Sequence, residues 1–211
     1  HPLWFAPKGT PAREDATFRR SNAHPHVAEE CRAVRESCGL IEISNYGKFE
    51  ITGPGAADWL SIIMACKVPA VGRIALSPML NDRGRLIGDF TLCRFADERF
   101  FVVGTYAAEN YYVRWFEQHL PPTGVSVRPC AMEYLGLSVA GPESRAVLQK
   151  LVDHDLSTVA FPFMSFARMD VGTVPALVGR VSFTGEMGYE LWVTAEYLRT
   201  LYDLLHDAGK V

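Results

Sequence analysis

The chain has 211 residues, 48% of them hydrophobic and 21% charged, with 21 basic against 24 acidic side chains and a formal net charge of −3. Such a composition is that of an ordinary globular chain, long enough to bury about 70% of its extended-chain surface, and it lacks the basic excess with which a polyanion binder neutralises phosphates. No apolar run approaches the roughly 20 residues of a membrane span, so neither nucleic acid nor membrane is the expected partner. The five cysteines (Cys31, Cys38, Cys66, Cys93, Cys130) are odd in number and form no C-x-x-C pair, which points to a reducing compartment. The chain opens at His1 without an initiator Met or a signal-peptide pattern, and both ends read as cut from something longer.

Helical spacing predicts a first helix over Val27–Cys38, with Val27, Cys31, Val34 and Cys38 on one buried stripe and a stop at Gly39. Alternation then predicts a strand over Tyr46–Thr52, followed by Gly53-Pro54 and a helix over Ala56–Ala65. Two extended runs, Arg73–Leu80 and Leu86–Cys93, flank the turn residues Asn81-Asp82-Arg83-Gly84. A strand over Arg99–Val103 and a helix over Ala107–His119 complete the first half. Beyond Pro121-Pro122-Thr123-Gly124 the order begins again: strand Leu135–Ala140, Gly141-Pro142, helix Glu143–Leu151, strands Phe166–Val171, Val174–Ser182 and Tyr189–Val193, and a last helix over Ala195–Ala208. The two strand-Gly-Pro-helix units stand 88 residues apart. They read either as an internal repeat of two α+β half-units or as common turn chemistry used twice.

Two acids sit where acids are depleted. Asp89 lies inside the apolar run Leu86–Cys93, on the face of Ile87, Thr91 and Cys93, and Glu190 lies inside Tyr189–Val193, on the face of Trp192. Such an acid either lies on the wet side of a half-exposed sheet or faces a pocket. In a pocket, a carboxylate accepts two parallel N–H donors, such as those of an aminopyrimidine edge. Tyr46, Tyr106, Phe163 and Phe183 then either stack on that planar ligand or simply fill the core. Other chemistries lack their motifs. His24-Pro25-His26 has no third ligand, so no metal is expected, and G-x-S-x-G, G-x-x-x-x-G-K-[ST], H-E-x-x-H and G-x-G-x-x-G are absent.

Gly179–Val193 is similar to the G-Y-T-G-E-x-G-[FY]-E-[IL] signature of the aminomethyltransferase (glycine cleavage T-protein) superfamily. Pro78–Phe90 resembles that family's hairpin with its catalytic Asp, and Cys31–Ser44 resembles its V-R-x-x-x-G-[LM]-x-[DE]-[IV]-S segment. Within the superfamily, Trp4-Phe5-Ala6-Pro7, Phe18–Asn22 and Phe161–Phe166 most resemble the folate-binding part of dimethylglycine and sarcosine dehydrogenase-type proteins.

The resemblance implies an α+β fold of two similar half-units, residues 1–120 and 121–211, with antiparallel sheets and flanking helices around a central folate cavity. The second half-unit would be incomplete at its C-terminus, since the family's folate-holding arginine segment falls beyond Val211. Asp89 matches the catalytic acid and Glu190 the glutamate that accepts from the pterin. Phe183, Tyr46, Gly104, Thr105, Phe163 and Glu186 complete the implied folate-binding set. Phe183 stands for a family tyrosine, Leu76 for another, and Gly104 for an asparagine.

The implied activity is one-carbon transfer to tetrahydrofolate, giving 5,10-methylenetetrahydrofolate from an oxidised N-methyl amine. FAD would sit only on an upstream domain, and the setting would be a bacterial cytoplasm or a mitochondrial matrix. The alternatives are a non-catalytic folate-binding or scaffold module and a stand-alone aminomethyltransferase of glycine cleavage. The related iron-sulfur maintenance proteins carry K-G-C-Y-x-G-Q where this chain has Arg180–Met187, without a cysteine.

Overall fold

The structure, a computed structural model, describes Trp4 and residues 6–210; Phe5 of the opening motif and both chain ends lie outside the described residues. In chain order the elements are α1 (His24–Glu36), β1 (Gly39–Glu42), β2 (Tyr46–Thr52), α2 (Ala56–Ile63), β3 (Arg73–Leu80), β4 (Leu86–Ala96), β5 (Arg99–Thr105) and α3 (Glu109–His119). They continue with β6 (Ser126–Pro129), β7 (Tyr134–Ala140), α4 (Ser144–Gln149), β8 (Phe166–Val171), β9 (Val174–Gly179), β10 (Gly188–Thr194) and α5 (Leu198–Gly209). The strands make two five-stranded antiparallel sheets, ordered β3-β4-β5-β2-β6 and β8-β9-β10-β7-β1.

Alternation along the strands sorts the apolar residues into three cores. Phe49, Ile51, Phe90, Leu92, Phe100 and Val102 of the first sheet pack on Trp59 and Leu60 of α2 and Tyr112 and Phe116 of α3. Leu137, Val139, Tyr189, Leu191 and Val193 of the second sheet pack on Leu148 of α4 and Leu201 and Leu205 of α5. Between the sheets, Ile74, Cys93, Phe101 and Val103 meet Phe166, Leu177, Val181 and Trp192. The layers therefore run helix, sheet, sheet, helix.

The half-units repeat down to single hydrogen bonds. After β2, Gly53 has φ 119°, and after β7, Gly141 has φ 131°. The Ala56 N–H donates to the Gly53 carbonyl at 3.0 Å, and the Ser144 N–H donates to the Gly141 carbonyl at 3.0 Å. A Cβ at either glycine would collide with a backbone carbonyl oxygen, that of Gly124 in the first unit and of Ser37 in the second, so both turns require glycine. Register agrees too: Glu50 faces Phe101 as Ser138 faces Glu190. Each sheet, however, takes its fifth strand from across the middle of the chain, β1 lying in the second sheet beside β7 and β6 in the first beside β2. A division after residue 120 leaves both sheets one strand short.

The expected buried cysteine stripe is not found. No residue of α1 is buried, Cys31 is exposed, and Cys38 lies past the helix end. The C-terminal end of α1 rests on the Gly39 and Gly141 turns through Val34, and near its N-terminal end His26 stacks on Trp4, ring centroids 5.6 Å apart. The cysteines between the sheets are Cys93 and Cys130, and all five thiols are free.

Candidate functional site

The two anomalous acids meet. Asp89 on β4 and Glu190 on β10 line one cavity of about 470 Å³ that opens between the two sheets, within the size range of small-molecule sites. Asp89 reaches it because the Met79/Leu80 irregularity opposite Ile87 turns that residue into the helix-side core, while Asp89, Thr91 and Cys93 keep the inter-sheet face. Sequence alternation alone would place Ile87 with Asp89. Glu190 is flanked on its own face by Ser138 of β7 and Gly179 of β9, whose small size leaves its carboxylate clear of side-chain partners.

Environment separates the two acids. Asp89 is solvent-exposed. Glu190 is largely enclosed, burial pushes its carboxyl up to about 7, and no hydrogen-bond donor reaches it among the described residues. Tyr46 on β2 feels both: its phenol is raised by burial first, then by the charges of Glu190 and Asp89. It therefore keeps its proton at neutral pH. Its ring stands edge-on to Trp192, centroids 6.4 Å apart.

Trp192 is fixed from below. Lys48, two residues along β2 from Tyr46, is fully buried, with its Nζ 5.3 Å from the Trp192 ring centroid. The ammonium donates to the carbonyls of Ser44 at 2.7 Å, Ala131 at 2.8 Å and Tyr134 at 2.8 Å. Burial lowers its pKa, with Cys130, Glu109 and Glu42 opposing. A cation held in this way locks β2 of the first sheet to the segment that enters β7 of the second.

Of the implied folate-binding residues, Tyr46, Gly104, Thr105 and Phe183 line the cavity with the two acids. Gly104 contributes backbone only, since a Cβ there would point into the Phe90 ring. Phe183, 94% exposed, stands at the mouth on a turn held by Ser182 and Thr184 hydroxyls 2.8 Å apart. Phe163 and Glu186 do not line the cavity. The Phe163 carbonyl accepts from Arg73 at 2.9 Å, and Glu186 pairs with Arg35 at 3.7 Å. Lining residues that sequence reading missed include Ser77, Pro78, Leu86, Thr91, Val103 and Val181. Thr91 was within reach, being two residues from Asp89 on one face. Among the described residues no group of three or more His, Cys, Asp or Glu could hold a metal ion, and no helix is long and apolar enough to cross a membrane.

A cavity between the two sheets, with an acid from each, is the geometry the resemblance implies, and comparison with known proteins identifies the family. Residues 1–211 match the GCVT N-terminal domain family. The chain belongs to this family. Among relatives, dimethylglycine dehydrogenase, mitochondrial, of Mus musculus is 34% identical over 211 residues, covering 99% of this chain and 24% of that protein. Sarcosine oxidase subunit alpha of Rhizobium meliloti is 34% identical over 221 residues, covering 99% of this chain and 21% of that protein. An aminomethyltransferase of Natranaerobius thermophilus is 27% identical over 186 residues, or 87% of this chain and 50% of that one. This GCVT domain thus spans about a quarter of the length of the dehydrogenase it matches. Its fold is that of aminomethyltransferase T of the glycine cleavage system from Bartonella henselae, with TM-score 0.74 and 25% identity over 85% of this chain and 48% of that one.

Proposed function

We propose that this GCVT domain transfers a one-carbon unit to tetrahydrofolate, capturing the carbon of an oxidised N-methyl amine as 5,10-methylenetetrahydrofolate. The observation that carries the reading is the meeting of Asp89 and Glu190 in one cavity. Tetrahydrofolate supplies the amine nitrogens that accept the carbon. The residues fit it: the cavity offers a partnerless enclosed carboxylate at Glu190, apolar walls from Val103, Val181 and Phe183, and no lysine or arginine. Glu190, ionised, accepts the paired N–H donors of an aminopyrimidine edge and so fixes the ring. Asp89 holds negative charge where cationic character develops and moves a proton at its carboxylate.

The similarity to dimethylglycine dehydrogenase and sarcosine oxidase supports an amine-derived donor and a flavin domain upstream in a longer chain. It also suits a mitochondrial matrix or bacterial cytoplasm. Phe163 and Glu186 would then support the mouth from outside it, and residues 1–120 and 121–211 would each supply one acid-bearing wall.

Titration of the 211-residue chain with 5-formyltetrahydrofolate, a stable reduced folate, tests binding. Rapid-mix formation of methylenetetrahydrofolate from tetrahydrofolate and formaldehyde tests the chemistry. Asp89→Asn removes the charge and should cut the enzymatic rate at saturating folate by about 10²- to 10³-fold, with folate affinity nearly unchanged. Glu190→Gln, which turns one acceptor into an NH₂ donor, should mainly raise the folate concentration required. A wild type that binds no reduced folate defeats the proposal. Wild-type affinity in Glu190→Gln together with wild-type rate in Asp89→Asn defeats the residue assignments.

A further inference from the structure

The cavity is lined by three titratable side chains, Asp89, Glu190 and Tyr46, and by no lysine, arginine, histidine or cysteine. Capture of formaldehyde by two amine nitrogens releases the formaldehyde oxygen as water, so that oxygen must gain two protons before it leaves. A carboxylate that accepts a pair of N–H donors works as the ionised form, and so does a carboxylate that takes protons from nitrogen. Neither acid can give a proton to oxygen while it does its own work. Tyr46 is the third group.

Its placement suits that task. Tyr46 opens β2 opposite Thr105 of β5, itself a lining residue, and its ring packs on the inter-sheet core with its plane at 82° to that of Trp192. Trp192 stands two residues from Glu190 on the same face of β10, so the strand that carries Glu190 also braces Tyr46. No hydrogen-bond partner reaches the Tyr46 hydroxyl among the described residues. Two other cavity hydroxyls are engaged: Ser77 donates to the Pro78 carbonyl at 3.1 Å, and Ser182 shares a hydrogen bond with Thr184 at 2.8 Å. That the phenol is raised by burial, then by Glu190 and Asp89, means that both carboxylates lie close enough to act on it and that its proton is in place at neutral pH.

We infer that Tyr46 is a catalytic residue of this domain, the group that protonates the departing formaldehyde oxygen while Asp89 takes protons from nitrogen. This rests on the folate reading above and adds the acid that completes its proton balance. Tyr46 gives its proton to the carbonyl oxygen as the first C–N bond forms, and Asp89 takes the proton shed by that nitrogen. Tyr46, reprotonated from water, gives a second proton as the C–O bond breaks with its electron pair on oxygen, which leaves as water. Asp89 takes the second amine proton as the second C–N bond forms, and, being exposed, sheds each proton to solvent. Two protons leave nitrogen and two reach oxygen, so none is consumed. A phenolate beside two carboxylates is disfavoured, which returns Tyr46 to its protonated form between the two transfers.

The test is Tyr46→Phe in the 211-residue chain, which keeps the ring against Trp192 and removes the hydroxyl. Calorimetric affinity for 5-formyltetrahydrofolate should stay within about two-fold of wild type. Rapid-mix formation of methylenetetrahydrofolate at saturating tetrahydrofolate and formaldehyde should fall by about 10²-fold once the spontaneous reaction is subtracted. A monofluorinated tyrosine in place of Tyr46, more acidic yet still protonated at neutral pH, should raise that rate about two- to three-fold. A hydroxyl that served only packing or binding would not answer to acidity in this way. In absorbance titrations of the unliganded chain, Tyr46→Phe should remove one phenol that ionises above the ordinary value of 10. A Tyr46→Phe rate within about two-fold of wild type, or no rise with the fluorinated residue, overturns the role of Tyr46 and leaves the folate reading standing. Should Tyr46→Phe fail to fold, the fluorinated chain, which keeps the whole side chain, decides alone. Failure of the wild type to bind the reduced folate overturns both readings.

Discussion

Glu190 is one carboxylate whose protonation should be visible in two opposite measurements. Its folded-state pKa of about 7 lies above the ordinary 4.5. The folded chain therefore holds the extra proton between those values, and stability falls as pH rises through that window. The penalty above pH 7 is on the order of 3 kcal/mol at 1.36 kcal/mol per unit. Glu190→Gln keeps the shape and removes the ionisation, so it should raise Tm by about 6 to 12 °C at pH 8 and leave Tm nearly unchanged at pH 4.5; thermal melts across pH check this. Binding runs the other way. A ligand that donates two N–H groups selects the ionised form, so reduced-folate affinity should tighten about 10-fold from pH 6 to pH 8. In Glu190→Gln that slope should vanish. A flat affinity in the wild type would mean that Glu190 does not meet the ligand as a carboxylate.

At the scale of elements, strands and helices with strong period were legible in the sequence, and the site came with them. Asp89 and Glu190 stood out because β4 and β10 are otherwise apolar runs, and alternation put Asp89 with Thr91 and Cys93 and Glu190 with Trp192. It also put Ile87 on the Asp89 face, from which the β3–β4 irregularity turns it away. What escaped has a physical reason in each case. β1 and β6 are four residues each, too short to show alternation, and β6 contains Pro129, tolerable because that strand is an edge. In α1 the period of Val27, Cys31 and Val34 held while Cys38 fell past the helix end, and the burial did not follow, since spacing defines a helix face and only a neighbouring layer buries it. Lys48 gave no signal in advance, because its partners are backbone carbonyls from three separate positions. Removing it should cost more than a surface lysine would. Lys48→Met strands three enclosed carbonyls, and a loss of about 3 kcal/mol is expected in denaturant unfolding, at 1 to 3 kcal/mol for each group not rescued by water. A loss below about 0.5 kcal/mol would show the clamp to be decorative.

For the whole molecule, the two half-units are alike in plan but are not independent. With β1 in the second sheet and β6 in the first, neither residues 1–120 nor residues 121–211 contain a finished sheet. Expressed apart, each piece should lack cooperative unfolding and bind hydrophobic dyes, whereas the pieces mixed should recover a joint transition. Two well-folded separate pieces would contradict this. The paired glycine turns offer a second check. Gly53→Ala and Gly141→Ala meet the same steric obstacle, so each should destabilise the chain by at least 1 to 2 kcal/mol, the usual cost of left-handed backbone for a residue with a Cβ, and the two should do so by similar amounts in denaturant melts.

The crossing of strands also sets a clock during synthesis. β1 leaves the ribosome well before its partner β7, which begins only at Tyr134. At about 5 to 20 residues per second, the Gly39–Glu42 segment waits roughly 5 to 20 seconds with its backbone groups open to any passing strand. Its shortness, and the charge of Glu42 at its end, limit how well a nascent neighbour can capture it in that interval.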